Sequence, residues 1–252
     1  MSIINVESLR KIYVQTNTST TVIAIDNLTF KIEEHEITSI VGQTGCGKST
    51  FLNILMGLEK PTSGKLTVDG VEPYKDFNSL KGKMGIVFQQ DRLLPWRRAI
   101  DNVKIGLEVL GYPPEEQIKR ATEWLSRLGL GNFLYAYPSE LSGGMRQRVA
   151  LARALCIDPK IILLDEAFGH LDEVTASKLR RDFLELIRLT KKTVVFVTHQ
   201  LDEAIEMGDR IIVFGKPAKV LADIRVEHSV KEDHSKIQKM RREIQQILDR
   251  NY

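Results

Sequence analysis

The stretch Gly42-Gln43-Thr44-Gly45-Cys46-Gly47-Lys48-Ser49-Thr50 sets glycines around a lysine and neighbouring hydroxyls in a pattern suited to phosphate. Its glycines let the backbone wrap around phosphate oxygens with N–H groups pointing inward. Lys48 supplies a charge for β- and γ-phosphates, and the Ser49 hydroxyl can ligate Mg²⁺. Asp165 and Glu166 close the apolar run Ile161–Leu164. Two acids at the carboxyl end of a strand, in a chain with a phosphate loop, suit magnesium chemistry. A third stretch, Leu141-Ser142-Gly143-Gly144-Met145, opens a segment of helical pattern. Gly143 and Gly144 strip side chains from a helix N-terminus, so backbone N–H groups and the helix dipole can face an anion. Ser142 adds a hydroxyl donor, or simply an N-cap.

These residues need elements to position them. Ile37–Val41 reads as a buried strand running into the glycine loop, and Phe51, Leu52, Leu55 and Leu58 mark an amphipathic helix after it. Ahead of it, Ile3–Leu9, Lys11–Val14, Val22–Ile25 and Leu28–Ile32 suggest a small antiparallel sheet of short strands broken by polar turns. Leu66–Val68 with Asp69-Gly70 reads as strand and turn, and Met84–Phe88 as a strand ending at Gln89-Gln90. From about Asp91 to Ile157 the pattern is helical, with Ile118, Ala121, Leu125 and Leu128 on one stripe after Pro113-Pro114. Met145, Val149, Ala152 and Leu155 form the apolar side of the helix behind Gly143. A helix with Leu179, Phe183, Leu186 and Ile187 near its buried face leads to strand Thr193–Thr198 and then His199. Arg210–Phe214 reads as the last core strand, and the tail ends in a charged helix striped by Ile237, Met240, Ile244, Ile247 and Leu248. Strands alternating with helices imply an α/β fold with a largely parallel sheet.

Composition bounds the function. The 252 residues suit one large α/β domain, and 42% hydrophobic with 27% charged residues is ordinary for a globular chain. A net charge of +3 without long like-charge blocks argues against a dedicated nucleic-acid binder. Cys46 and Cys156 lack zinc or CxxC spacing, which points to a reducing compartment. The N-terminus lacks the apolar core of a signal peptide, and no apolar run reaches the ~18 residues that span a bilayer. No internal repeat marks a tandem pair.

The whole string LSGGMRQRVALARAL, together with GQTGCGKST and IILLDE in this order, resembles ATP-binding cassette (ABC) ATPases. The resemblance covers roughly Ile3 to Phe214. It implies a RecA-like P-loop core at 1–90 and 158–215 with an N-terminal antiparallel β subdomain, an inserted helical subdomain at 91–157 and a tail at 216–252. It also implies roles. Gly42 to Thr50 bind ATP, and Tyr13 stacks on adenine, where a lone strand Tyr would otherwise be packing. Asp165 is the Walker B acid and, with Ser49 and Gln89, a Mg²⁺ ligand. Glu166 is the general base, Gln89 (Gln90 being the alternative) contacts Mg²⁺ and the attacking water, and His199 bonds the γ-phosphate. Leu141 to Met145 are the signature that contacts ATP across a head-to-tail homodimer, and Asp172 belongs to the D-loop that crosses to the partner. The chain departs from the family pattern at His35, Ala167, His170 and Gln200. His35, in the turn Glu34-His35-Glu36, stands where the family usually has Gly, which implies a positive φ there, and His170 is expected at the interface.

DRLLPWRRAIDNV (Asp91–Val103) with DEAFGHLD is similar to the cassettes of nitrate, sulfonate and taurine importers, and pyrimidine-precursor importers remain in play. The expected function is an ATP hydrolase powering such an importer. It would sit peripherally on the cytoplasmic face of the membrane, on separate permease subunits and indirectly with a solute-binding protein. Exporter ATPases share the chemistry but use no solute-binding protein. A soluble ABC factor acting on ribosomes or nucleic acid is disfavoured by the single cassette and near-neutral charge. The interval from Gln89 to Leu141 is too short for the coiled coil of the chromosome-maintenance relatives. Pro95 predicts an extended Leu94-Pro95-Trp96 that presents Trp96 either to a permease or to the helical subdomain's own core.

Overall fold

Two long strands open the chain in the computed structural model, which describes residues 1–14, 20–169, 172–231 and 233–250. The first half runs β1 (Ser2–Val14), β2 (Thr21–Glu33), β3 (Ile37–Val41), α1 (Lys48–Leu55), β4 (Ser63–Val68), β5 (Met84–Val87), α2 (Ala99–Val109) and α3 (Pro114–Arg127). It continues with α4 (Gly143–Cys156), β6 (Ile161–Asp165), α5 (Glu173–Thr190), β7 (Thr193–Thr198), α6 (Leu201–Met207) and β8 (Arg210–Phe214). The tail is β9 (Val220–Arg225), the short α7 (His228–Lys231) and α8 (His234–Asp249). These elements divide into two compact units, Met1–Leu80 with Thr193–Tyr252, and Lys81–Lys192. Among the described residues no helix is long and apolar enough to cross a membrane.

In the first unit, β1 pairs antiparallel with β2 on one side and β4 on the other. The four short strands expected from sequence are therefore two long ones. The polar breaks expected at Arg10 and Asp26-Asn27 are irregularities inside continuous strands: the register shifts between Leu9 and Lys11, and Asn27 adopts a left-handed φ of 53°. β3 lies parallel between β7 and β8, and β9 runs antiparallel to β8. β9 was not expected, because its residues are mostly half-exposed and give no apolar run. Phe30 of β2, Phe51 of α1 and Phe214 of β8 meet at centroid distances of 5.5–6.0 Å, fixing the helix behind the glycine loop on the sheet. Leu58 falls beyond α1 and is 69% exposed, so the buried stripe of that helix ends at Leu55. His35 has φ 65° as expected, with its N–H donating to Thr193 Oγ1 at 2.9 Å. The tail helix α8 buries Ile244 and Leu248 against α6, β8 and Val226.

In the second unit, β5 and β6 pair in parallel, and α2, α3 and α4 pack together. Ala121 and Leu125 are buried on α3, whereas Ile118 is 49% exposed and does not belong to its core stripe. The first N–H groups of α2 donate to Ala136 and Leu134 carbonyls at 2.8 and 2.9 Å, which satisfies a helix start that has no side-chain cap. Both cysteines are free and buried, and burial pushes the Cys156 thiol up to about 12.

Candidate functional site

The first unit carries the glycine loop. β3, buried throughout, delivers the chain into Gly42, and Gly47 at φ 110° is the N-cap of α1. A Cβ on Gly47 would overlap the Ala24 carbonyl oxygen, and one on Gly42 would stand 2.7 Å from Cys46 Sγ, so both positions demand glycine. The Lys48 ammonium is buried and donates to the carbonyls of Gly42 at 2.5 Å and Gln43 at 3.0 Å. Burial pushes the Cys46 thiol up, outweighing the nearby Lys48 charge, so it stays a protonated filler beneath the loop. Thr44, Gly45 and Ser49 are exposed, and Gln43 and Thr50 half-buried. Tyr13, half-buried near the end of β1, donates its hydroxyl to Glu59 at 2.6 Å. His199 is exposed directly after β7. Behind it, Thr198 Oγ1 donates to Glu203 at 2.9 Å and accepts from Gln200 N at 3.0 Å, setting the start of α6.

The second unit carries the carboxylates. Asp165 ends β6, and Glu166 follows in the left-handed region at φ 47°. The Gln89 amide, exposed just after β5, donates to Glu166 Oε2 at 2.9 Å. Gln89 thus meets the carboxylate, and it lines, together with Gln90, Arg92, Gly143, Arg146 and Gln147, a cavity of about 500 Å³. Ser142 acts as N-cap of α4, its hydroxyl oxygen accepting from Met145 N at 3.3 Å, with Leu141 buried and Gly143 exposed. Asp172 caps α5, and the hydrogen bonds from Thr175 hold its carboxyl below the usual carboxylate range. His170 and Leu171 lie outside the described residues.

Sequence reading missed the residues that brace these groups. Arg146 joins the Asp91 carboxylate to the Leu141 carbonyl, both at 2.9 Å, and Arg153 donates to the carbonyls of Asp91 and Arg92. Gln147, buried, donates to the carbonyl of Ala167. Buried Asn102 accepts from Leu94 N at 2.7 Å and donates to the carbonyls of Leu94, Arg97 and Arg98. Leu94-Pro95-Trp96-Arg97 is consequently a tight turn closed by a Leu94 to Arg97 hydrogen bond, where an extended segment was expected. Trp96 stands at its tip, 71% exposed. No local pattern points to Asn102, since an Asn inside a helix usually faces water.

An α/β chain with a glycine loop between a buried parallel strand and a helix has the architecture of a phosphate-loop NTPase. The family model for the ABC transporter matches residues 25–169, and the chain belongs to that family as an ATP-hydrolysing transport ATPase. An uncharacterized ABC transporter ATP-binding protein of Methanocaldococcus jannaschii is 40% identical over 248 residues, covering 97% of this chain and 91% of the relative. The taurine import ATP-binding protein TauB of Rhizobium johnstonii is 41% identical over 203 residues, 80% of this chain and 76% of TauB. A dimeric ATP-binding cassette in a post-hydrolysis state, bound to ADP and Pi, superposes with a TM-score of 0.78. It is 35% identical, and the match covers 89% of this chain and 99% of that one. The resemblance read from the motifs is thereby shown, and with it the mixed α/β fold with an antiparallel β subdomain.

Proposed function

We propose that this chain is the ATPase subunit of a membrane importer for a small solute of the nitrate, sulfonate and taurine class. It works as a head-to-tail homodimer at the cytoplasmic face of the membrane, on separate permease subunits that a solute-binding protein serves. In this reading Gly42 to Thr50 hold the phosphates, Lys48 neutralises the β- and γ-phosphate charge, and Tyr13 carries the adenine. Glu166 polarises the attacking water, positioned by Gln89, and His199 bonds the γ-phosphate. The signature residues Leu141 to Met145 close on the ATP of the partner, and Asp172 belongs to the D-loop that crosses to the partner subunit. The Ser49 hydroxyl, the Asp165 carboxylate and the Gln89 carbonyl oxygen are hard oxygen donors that fit Mg²⁺, which supplies charge neutralisation when bound. The amide nitrogen of Gln89 is already committed to Glu166, which leaves that carbonyl oxygen for the cation.

The observation that carries the transport reading is Trp96. A large apolar side chain that exposed, on a turn locked by a buried Asn102, is built for contact with another protein. Trp96→Ala should leave hydrolysis by the isolated protein close to normal and weaken co-purification with its permease. A truncated hot-spot aromatic costs ~2 kcal/mol or more, enough to see in a pull-down. A variant that loses thermal stability and still binds the permease would return Trp96 to the protein's own packing. The solute class is tested by reconstituting the complex and asking whether a sulfonate or nitrate raises ATP hydrolysis.

A further inference from the structure

Tyr13 is not an isolated aromatic. Its single hydroxyl proton goes to Glu59 Oε2 at 2.6 Å, and Thr50 Oγ1, in the first turn of α1, lies 3.5 Å from the same phenol oxygen. The other Glu59 oxygen pairs with Lys11 Nζ at 3.1 Å. That ammonium also donates to the Lys60 carbonyl at 2.8 Å and stands 4.9 Å from the Tyr13 ring centroid. The Lys11 and Glu59 side chains are only 14% and 22% exposed, so this pair is sheltered from the screening that weakens surface ion pairs. Burial and the Glu59 contact push the Tyr13 hydroxyl up from its usual range, which keeps it a neutral donor.

The arrangement fixes the ring in three ways. Glu59 sets its rotation, Lys11 covers one face so that only the other can stack, and Thr50 ties its outer edge to the helix that opens with Lys48. A stacking platform gains affinity when its orientation is settled before the ligand arrives, because less side-chain freedom is lost on binding. We propose that Glu59, held by Lys11, is a positioning residue for nucleotide binding: it presets the ring angle of Tyr13 and the span between ring and phosphate loop. This rests on the reading of Tyr13 as the adenine platform.

Tyr13→Phe keeps the ring and cuts the tether, so it separates the two ideas. Tyr13→Phe and Glu59→Ala should each raise the KM for ATP about two- to fivefold, the range for one lost hydrogen bond, with kcat nearly unchanged. The double variant should be no worse than either single one, because both remove the same bond. Glu59→Gln, which keeps an acceptor, should recover most of the loss. Equilibrium binding of a fluorescent ATP analogue should follow KM, and a melting curve of each variant reports folding. Should Glu59→Ala not fold, Tyr13→Phe still decides. If Tyr13→Ala raises KM roughly threefold to tenfold while Tyr13→Phe and Glu59→Ala do not, the platform stands and the tether is overturned. Additive effects in the double variant overturn it as well. If Tyr13→Ala leaves KM unchanged, platform and tether fall together.

Discussion

β3 and β6 are both five-residue strands in parallel pairs, and each ends in a turn rich in chemistry, but the two turns are built from opposite materials. After β3 the positive-φ positions are glycines, Gly45 at 76° and Gly47 at 110°, and the lysine is held by main-chain carbonyls of its own loop. After β6 the positive φ falls on Glu166 itself, and the turn is held by side chains, Gln89 on the carboxylate and Gln147 on the Ala167 carbonyl. An anion cradle of backbone N–H groups works only where side chains are absent. A carboxylate that must act on water has to be a side chain, so strain of about 1–3 kcal/mol at a non-glycine persists there only because neighbours hold it.

Breaking each turn at its centre should separate the two constructions. Lys48→Ala removes the one charge of the backbone-built loop, and the expected result is loss of nucleotide binding with hydrolysis down at least ~10³-fold. Equilibrium binding of labelled ATP checks it, and near-normal affinity in a folded variant would refute the phosphate role of the loop. Glu166→Gln alters the other turn and should spare binding. Turnover is expected to fall at least ~10²-fold, the usual range for a lost general base. With hydrolysis blocked, ATP should drive the isolated protein into a stable dimer on size-exclusion chromatography. A variant that turns over normally, or stays monomeric with ATP bound, would count against the base and the sandwich.

The same contrast explains what was legible in the sequence. The glycine loop is contiguous, so its strand, loop and helix can be read from one string, and Ile37–Val41, Thr193–Thr198 and Arg210–Phe214 form strands with the bounds the pattern gives. Apolar runs on central strands carry their own signal. The braces do not: Glu59 reaches Tyr13 across 46 positions, and Arg146 reaches Asp91 across 55. Polar side chains that meet only after folding leave no periodicity to read. β1 and β2 looked like four strands for a related reason, since Arg10 and Asp26-Asn27 are polar positions inside continuous strands.

A smaller effect than that of Lys48→Ala or Glu166→Gln is expected at Gln147, which braces the turn beside Glu166. Its side chain is buried on α4 and donates to the carbonyl of Ala167, the residue after Glu166. Gln147→Leu keeps the bulk and removes the donor, leaving a buried carbonyl without it at a cost of about 1–3 kcal/mol. The melting temperature should therefore drop by several degrees. Because the lost bond holds the turn that presents Glu166, kcat should also fall, by roughly threefold to tenfold for a slightly misplaced base. The KM for ATP should stay put, since the bond removed holds the Glu166 turn. A steady-state series in ATP separates the two constants. If KM rises with kcat unchanged, Gln147 does not act through the Glu166 turn, and the contrast between a backbone-built and a side-chain-built strand end loses its sharpest support.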